Sequence, residues 1–278
     1  MAKVPNSVSE RIKQNYNKMK KIVENGISRD INEADTVVIV SDILSDIFGY
    51  DKYSEITREF AIRNTYCDLA VKFDEHVFFL IEVKAIGISL NEKHIKQAVD
   101  YGANQGIDWV ILTNGQEWQI YKLQFEKPIN AKLIFSFDFL DLNIRKNDDL
   151  ERLFILCKEG IQKDAILEFS NYKQVVNKYF ITAILSGDLV IGSIRKELNK
   201  LLDKTKVTED EITSILQNNI LKRDVIESNE FTAAETEYKR MLKKSQKKKI
   251  SNTTKQTIPI KDTEIIIENT PTDPPAIV

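Results

Sequence analysis

The stretch Tyr66-Cys67-Asp68-Leu69-Ala70-Val71-Lys72-Phe73-Asp74-Glu75-His76-Val77-Phe78-Phe79-Leu80-Ile81-Glu82-Val83-Lys84 decides the fold. Its first half alternates, so that Cys67, Leu69, Val71 and Phe73 share one face of a strand and Asp68 takes the other. Asp74-Glu75-His76 supplies a turn. In the second half a period of two sets Glu82 and Lys84 on one face, at the polar end of the apolar run Val77-Phe78-Phe79-Leu80-Ile81. Two carboxylates and an ammonium therefore converge beside a hydrophobic core.

Charge held that close to a core costs several kcal/mol, in rough terms, unless it is paired or bound to a metal. Asp68 and Glu82 are hard oxygen donors of the kind Mg2+ prefers, and Mn2+ suits the same donors. Mg2+ keeps several waters, so two carboxylates and a backbone carbonyl, for which Val83 is the natural candidate, suffice. Such an ion activates water and neutralises phosphate charge, while Lys84 can orient the water or stabilise charge in the transition state. The chemistry that needs this set is phosphodiester hydrolysis.

These residues resemble the PD-(D/E)xK nuclease superfamily, and within it the N-terminal nuclease domain of type I restriction enzyme R subunits. The resemblance runs over residues 28–140 and keeps the family's order of elements. Asn32-Glu33-Ala34-Asp35-Thr36, continued to Gly49-Tyr50-Asp51, is similar to the family's first helix and its ending, with Glu33 at the position of its acidic residue. Ile56-Thr57-Arg58-Glu59-Phe60 precedes the two catalytic strands. Gln97-Ala98-Val99-Asp100-Tyr101 fits the family's Gln-x-x-x-Tyr element, and Gln97 and Tyr101 stand one helical turn apart on one face. Trp109-Val110-Ile111-Leu112-Thr113-Asn114-Gly115 and Glu117-Trp118-Gln119-Ile120-Tyr121 resemble the closing strand pair. Cys67 replaces the superfamily's proline, at a position that does not ligate metal.

The resemblance implies a metal-dependent endonuclease acting on DNA in restriction or defence. In it Asp68 and Glu82 hold Mg2+, Lys84 acts on water or the transition state, Glu33 adds acidity near the metal, and Gln97 and Tyr101 position substrate or the active-site helix. The alternative is a non-catalytic nuclease-like scaffold that binds nucleic acid or a partner protein. Retention of Asp68, Glu82 and Lys84 together favours the enzyme. R subunits continue into an ATP-driven translocase, but the nearest phosphate-loop spacing here, Gly187 to Ile194, has Ser193 in place of Lys and Ile194 in place of Ser or Thr. No use of ATP is expected, and delivery to DNA falls to a separate motor or specificity protein or to the C-terminal part of the chain.

With 278 residues the chain has room for one nuclease domain and a smaller segment. No apolar run is long enough to span a bilayer and no signal core opens the chain, so a cytoplasmic protein without membrane contact is expected. Cys67 and Cys157 are the two cysteines, which fits a reducing compartment, and His76 and His94 do not cluster with them.

The spacing predicts a surface helix from Ser7 to Glu24 that packs on the sheet or on a partner, and a helix capped by Asn32. It predicts strands near 55–62, 66–73 and 77–84, a helix near 92–105, strands near 108–113 and 117–123 joined at Asn114-Gly115, and a strand at 131–137. This is an α/β fold, a restriction-endonuclease-like mixed sheet flanked by helices, over residues 1–146. Beyond it, apolar residues at helical spacing give a C-terminal helical appendage, 147–249, in which Thr208-Glu209-Asp210-Glu211 is a capping box. Residues 250–278 have the composition of a disordered tail. The net charge of −2 leaves only a local footprint for nucleic acid, and Lys243, Lys244, Lys247, Lys248 and Lys249 are the candidate phosphate contacts, or else a lysine-rich helix end.

Overall fold

The computed structural model describes residues 3–62, 65–74, 76–125 and 128–254. The chain divides into two compact units, Met1–Val175 and Val176–Val278.

The first unit is built on the predicted strands. They are β1 (Ile56–Ile62), β2 (Thr65–Phe73), β3 (His76–Val83), β4 (Trp109–Thr113), β5 (Glu117–Gln124) and β6 (Asn130–Asp138), and they lie side by side in chain order. Every neighbouring pair is antiparallel except β3 and β4, which run parallel and are joined through helix α3 (Glu92–Gln105). That crossover is required, because parallel neighbours cannot be joined by a tight hairpin. The fold is the expected mixed α/β sheet flanked by helices.

Each face of the sheet carries its own core. On one face Leu69, Val71, Phe79, Ile81, Val83, Ile111, Trp118 and Ile120 pack against helices α1 (Asn6–Ser28) and α2 (Glu33–Asp46). The other face, with Ala70, Leu80, Val110, Leu112 and Tyr121, packs against Ile95, Ala98 and Tyr101 of α3. The predicted surface helix packs on the sheet: Val8, Ile12, Met19 and Val23 of α1 are fully buried, at roughly 2 kcal/mol each for side chains of this size, while its other side, with Lys13, Asn17 and Glu24, is exposed. The Tyr16 hydroxyl lies within hydrogen-bond distance of the carbonyls of Phe139 (2.7 Å) and Leu142 (2.9 Å), which lets a polar tip sit inside that core.

The Gly49-Tyr50-Asp51 ending of α2 has a mechanical reason. Gly49 adopts φ +83°, a left-handed conformation that costs an L-residue about 1–2 kcal/mol, and a Cβ there would stand 2.5 Å from the Arg11 guanidinium carbon. Arg11 uses that space to donate to the carbonyls of Ile47 and Phe48 and, through both terminal nitrogens, to Glu159 at 2.5 and 2.8 Å. Tyr50 is buried and donates to the Leu156 carbonyl, and Asp51 accepts from Tyr53 and Ser54 to close the turn into β1.

Helices α4 (Asn147–Phe154), α5 (Lys158–Ile161) and α6 (Ala165–Val175) belong to this first unit. Their composition placed them with the appendage, yet Leu150, Leu153, Phe154, Ile161, Ile166 and Phe169 join the core beneath α1. A helix's apolar spacing says that it packs, not on which core.

The second unit is helical: α7 (Lys178–Leu185), α8 (Asp188–Lys200), α9 (Glu209–Ile215) with a π-helical turn Leu216–Ile220, α10 (Arg223–Ile226) and α11 (Asn229–Thr254). Gly187 is the N-cap of α8, so the near match to a phosphate loop is a loop-to-helix join. The capping box opens α9 as expected: Thr208 accepts from the Glu211 amide and Glu211 returns the bond to the Thr208 amide. Phe180 of α7 meets Tyr238 of α11 edge to face. α11 continues to Thr254, and the rest of the expected tail lies outside the described residues.

Candidate active site

The hairpin of β2 and β3 brings the predicted carboxylates together. Leu69 pairs with Ile81, and continuing that antiparallel register by one step sets Asp68 opposite Glu82. Both stand on strand positions of the α3 side of the sheet, in step with Ala70 and Leu80. Asp68 Oδ2 accepts the backbone N–H of Val83 at 2.7 Å, which ties the first carboxylate to the strand end that carries the second.

Lys84 follows at once. Its backbone N–H donates to the Thr113 carbonyl of β4 at 2.8 Å, so the lysine is fixed where β3 leaves the sheet. Its ammonium donates to Glu82 Oε1 at 2.8 Å and lies 3.3 Å from Glu33 Oε2. Glu33 is the first residue of α2, whose cap is the Asn32 side chain accepting from the Asp35 amide. Glu82 of the hairpin and Glu33 of α2 thus meet at the Lys84 ammonium, with Asp68 on the strand position across from Glu82.

Glu82 is the most enclosed of them, 5% exposed, and its Oε2 is buried with no hydrogen-bond partner among the described residues. A buried carboxylate oxygen without a partner is costly and calls for an explanation, a missing cation being the simplest for an anionic group. Burial pushes the Glu82 carboxyl above the ordinary carboxylate range against the pull of Lys84, and burial likewise raises Asp68 against the Val83 N–H and Lys84. Lys84 is itself lowered by burial, but its hydrogen bond and charge interaction with Glu82, with Glu33 behind, outweigh that and hold it protonated.

Among the described residues no group of three or more His, Cys, Asp and Glu side chains gathers into a metal cage. Glu33 is turned to Lys84 and is half exposed. The residues present fit Mg2+ all the same, since that ion takes one or two carboxylates and keeps its waters. Asp68 and Glu82 are the side chains that would hold it, and the Glu82 Oε2 is an atom that such an ion would satisfy.

Tyr101 is buried in the core under α3; Gln97 lies one turn earlier on the same helix, and its side chain is outside the described residues. Cys67 is buried as expected but on the opposite side from its predicted partners: it packs with Ala70 and Leu80, and its thiol donates to the Ile81 carbonyl. Glu59, on the β1 step facing Asp68, takes a left-handed φ of 48°, with the register unchanged from Arg58–Leu69 to Phe60–Cys67.

Residues 40–137 match the type I restriction enzyme R protein N terminus. The matched region begins in α2 and ends in β6, so it holds the whole hairpin with Asp68, Glu82 and Lys84, the helix with Gln97 and Tyr101, and the closing strand pair. Glu33 stands seven residues before it, and α4 to α11 follow it. No curated protein and no solved structure matches the chain.

The lysines proposed for nucleic acid all lie on α11. Just before them, Lys239 and Arg240 pair with Glu235 and Glu237 on the same helix, at 3.0 and 2.8 Å. Lys243 and Lys244 are exposed, while the side chains of Lys247, Lys248 and Lys249 lie outside the described residues. Asn114, read from the sequence only as part of a turn, also donates through its side chain to the Ile88 carbonyl, a contact that the sequence did not announce. No helix among the described residues is long and apolar enough to cross a membrane.

Proposed function

We propose that this chain is a magnesium-dependent endonuclease that hydrolyses phosphodiester bonds in DNA, in a restriction or defence setting. The observation that carries the reading is the pairing of Asp68 and Glu82 across one hairpin, with an enclosed, partnerless Glu82 oxygen and Lys84 beside it. The match to the R protein N terminus supports a restriction-type nuclease over other metal-dependent hydrolases.

When bound, Mg2+ or Mn2+ supplies positive charge at a scissile phosphate and an acidified water. Asp68 and Glu82 are the groups that hold the ion. The Val83 N–H keeps Asp68 turned toward Glu82, and the same bond spares the carboxylate an unpaired oxygen. Lys84, protonated and anchored through its backbone on Thr113, presents its ammonium where negative charge develops on the phosphate. Glu33 holds that ammonium from the exposed side and sets its reach. Tyr101, buried beneath α3, seats that helix on the face of the sheet that carries Asp68 and Glu82, Gln97 one turn earlier is assigned to positioning substrate or that helix, and the exposed end of α11 supplies further phosphate contacts through Lys243 and Lys244.

The test is cleavage of supercoiled plasmid, linear duplex and single-stranded DNA by purified protein with and without Mg2+ or Mn2+, alone and with the proteins encoded beside it. Metal-dependent cleavage that disappears in Asp68→Ala supports the reading. A wild type that cuts no DNA under any of these conditions rules it out and leaves a nucleic-acid or protein-binding scaffold.

A further inference from the structure

The turn between β4 and β5 does more than reverse the chain. Asn114 is 7% exposed, and its side chain makes three hydrogen bonds. Two stay inside the turn, where Oδ1 accepts from the amides of Gln116 (3.1 Å) and Glu117 (2.8 Å). Gly115, at φ +85°, and Thr113, whose hydroxyl donates to the Glu117 carbonyl, complete that turn. The third bond leaves it: Nδ2 donates to the carbonyl of Ile88 at 3.0 Å.

Ile88 belongs to the segment between Lys84 and α3. That segment is fastened to the β4–β5 turn at two points, by the Lys84 N–H on the Thr113 carbonyl and by Asn114 on the Ile88 carbonyl. The Ile88 amide closes on Ala85 at 2.9 Å, so the chain from Lys84 to Ile88 is a short loop clamped at both ends. Only the first clamp is part of the sheet ladder; the second depends on a single side-chain amide group. An acceptor alone at position 114 is enough for the turn, since Asp and Ser also serve there. The NH2 group is what reaches Ile88.

We propose that Asn114 is a positioning residue for the nuclease reaction, which fixes the chain after Lys84 and so holds the Lys84 ammonium, and the α3 helix that follows, in working register with Asp68 and Glu82. The inference rests on the nuclease reading of the hairpin. A displacement of about 1 Å at a reacting group costs on the order of 10²-fold in rate, so a residue that touches no substrate can still control the reaction.

Two substitutions separate the clamp from the turn. Asn114→Asp keeps the acceptor and the shape and loses the donor; Asn114→Ser keeps a turn acceptor without adding charge and is too short to reach Ile88. Four measurements are made on each full-length variant: thermal melting, amide hydrogen exchange over residues 84–91, calorimetric Mg2+ titration, and steady-state plasmid cleavage. Expected are melting close to wild type, faster exchange in 84–91, unchanged Mg2+ affinity and KM, and kcat lower by roughly 10- to 100-fold. Wild-type exchange and kcat in a folded variant would show that Asn114 is only a turn residue, and loss of folding in both variants would make it a stability residue; either result overturns the proposal. Exchange and metal binding are read without cleavage, so a wild type that cuts nothing defeats the nuclease reading and leaves the clamp to be judged by exchange alone.

Discussion

Glu82 shares one carboxylate oxygen with the Lys84 ammonium at 2.8 Å and keeps the other buried without a partner among the described residues. An ion pair completed on one side only is a poor way to stabilise a fold, because the second oxygen is desolvated with nothing in exchange. It is a sound way to hold a cation. On the proposed reading, a cation beside Glu82 and Asp68 would satisfy that oxygen and stabilise the hairpin.

Metal should therefore stabilise the wild type and do much less for Asp68→Asn. Asn keeps an acceptor for the Val83 N–H and removes a charge that burial disfavours, so without metal this variant should melt at or above the wild-type temperature. With Mg2+ at a hundred times its Kd the wild type should gain about 2.7 kcal/mol, and the order should invert. Differential scanning calorimetry with and without metal reads both halves; equal metal shifts in the two proteins would remove Asp68 from the metal site.

The pair of Arg11 and Glu159 should act as an acid-sensitive staple. Burial alone would raise the Glu159 carboxyl, but the two hydrogen bonds and the charge of Arg11 outweigh it and hold the group below its ordinary value. A carboxylate depressed in the folded state adds stability above its unfolded pKa and loses it as pH falls through the folded one. Arg11→Ala should cost about 2 kcal/mol at neutral pH, between the values for exposed and buried pairs. The gap to wild type should narrow as pH drops below the ordinary carboxylate range. Urea unfolding of both proteins from neutral pH down to acid measures it, and a gap that widens on acidification would contradict the assignment.

Replacing Lys243, Lys244, Lys247, Lys248 and Lys249 by Gln should leave the helix intact, Gln being nearly as good a helix former as Lys. If these lysines meet phosphates, affinity for duplex DNA should fall. The slope of log affinity against log salt should also flatten, by at most about one unit for each phosphate that the variant no longer neutralises. An unchanged slope would assign the run to solvation of a helix end. The pairing of Lys239 and Arg240 with Glu235 and Glu237 leaves those two out of the substitution.

The strands, their order and the approach of Asp68, Glu82 and Lys84 were legible because period-two alternation states which face a residue takes, and a charge at the end of an apolar run has few places to go. What was not legible depends on partners distant in the chain. The periodicity of α1 shows an apolar stripe, whereas the partners that help cover that stripe include Phe139, Leu142 and the helices at 147–175, more than 100 residues away. Cys67 packs with Ala70 and Leu80, against the simple alternation of its strand, and nothing in the sequence around it announces that side. Asn114 was readable as a turn former, since that role is local. Its bond to Ile88 spans 26 residues and needed the parallel placement of β3 beside β4 to appear.

The most direct measurement is the rate of Mg2+-dependent cleavage of supercoiled plasmid by wild type and by Lys84→Ala under single-turnover conditions, with Mg2+ affinity measured on the same samples. Lys84→Ala should fold and bind metal, because Asp68 and Glu82 remain, and its cleavage rate should fall by roughly 10²-fold or more, since it loses charge aimed at the transition state. Cleavage by Lys84→Ala at the wild-type rate, or a wild type that cleaves nothing with metal bound, would contradict the account.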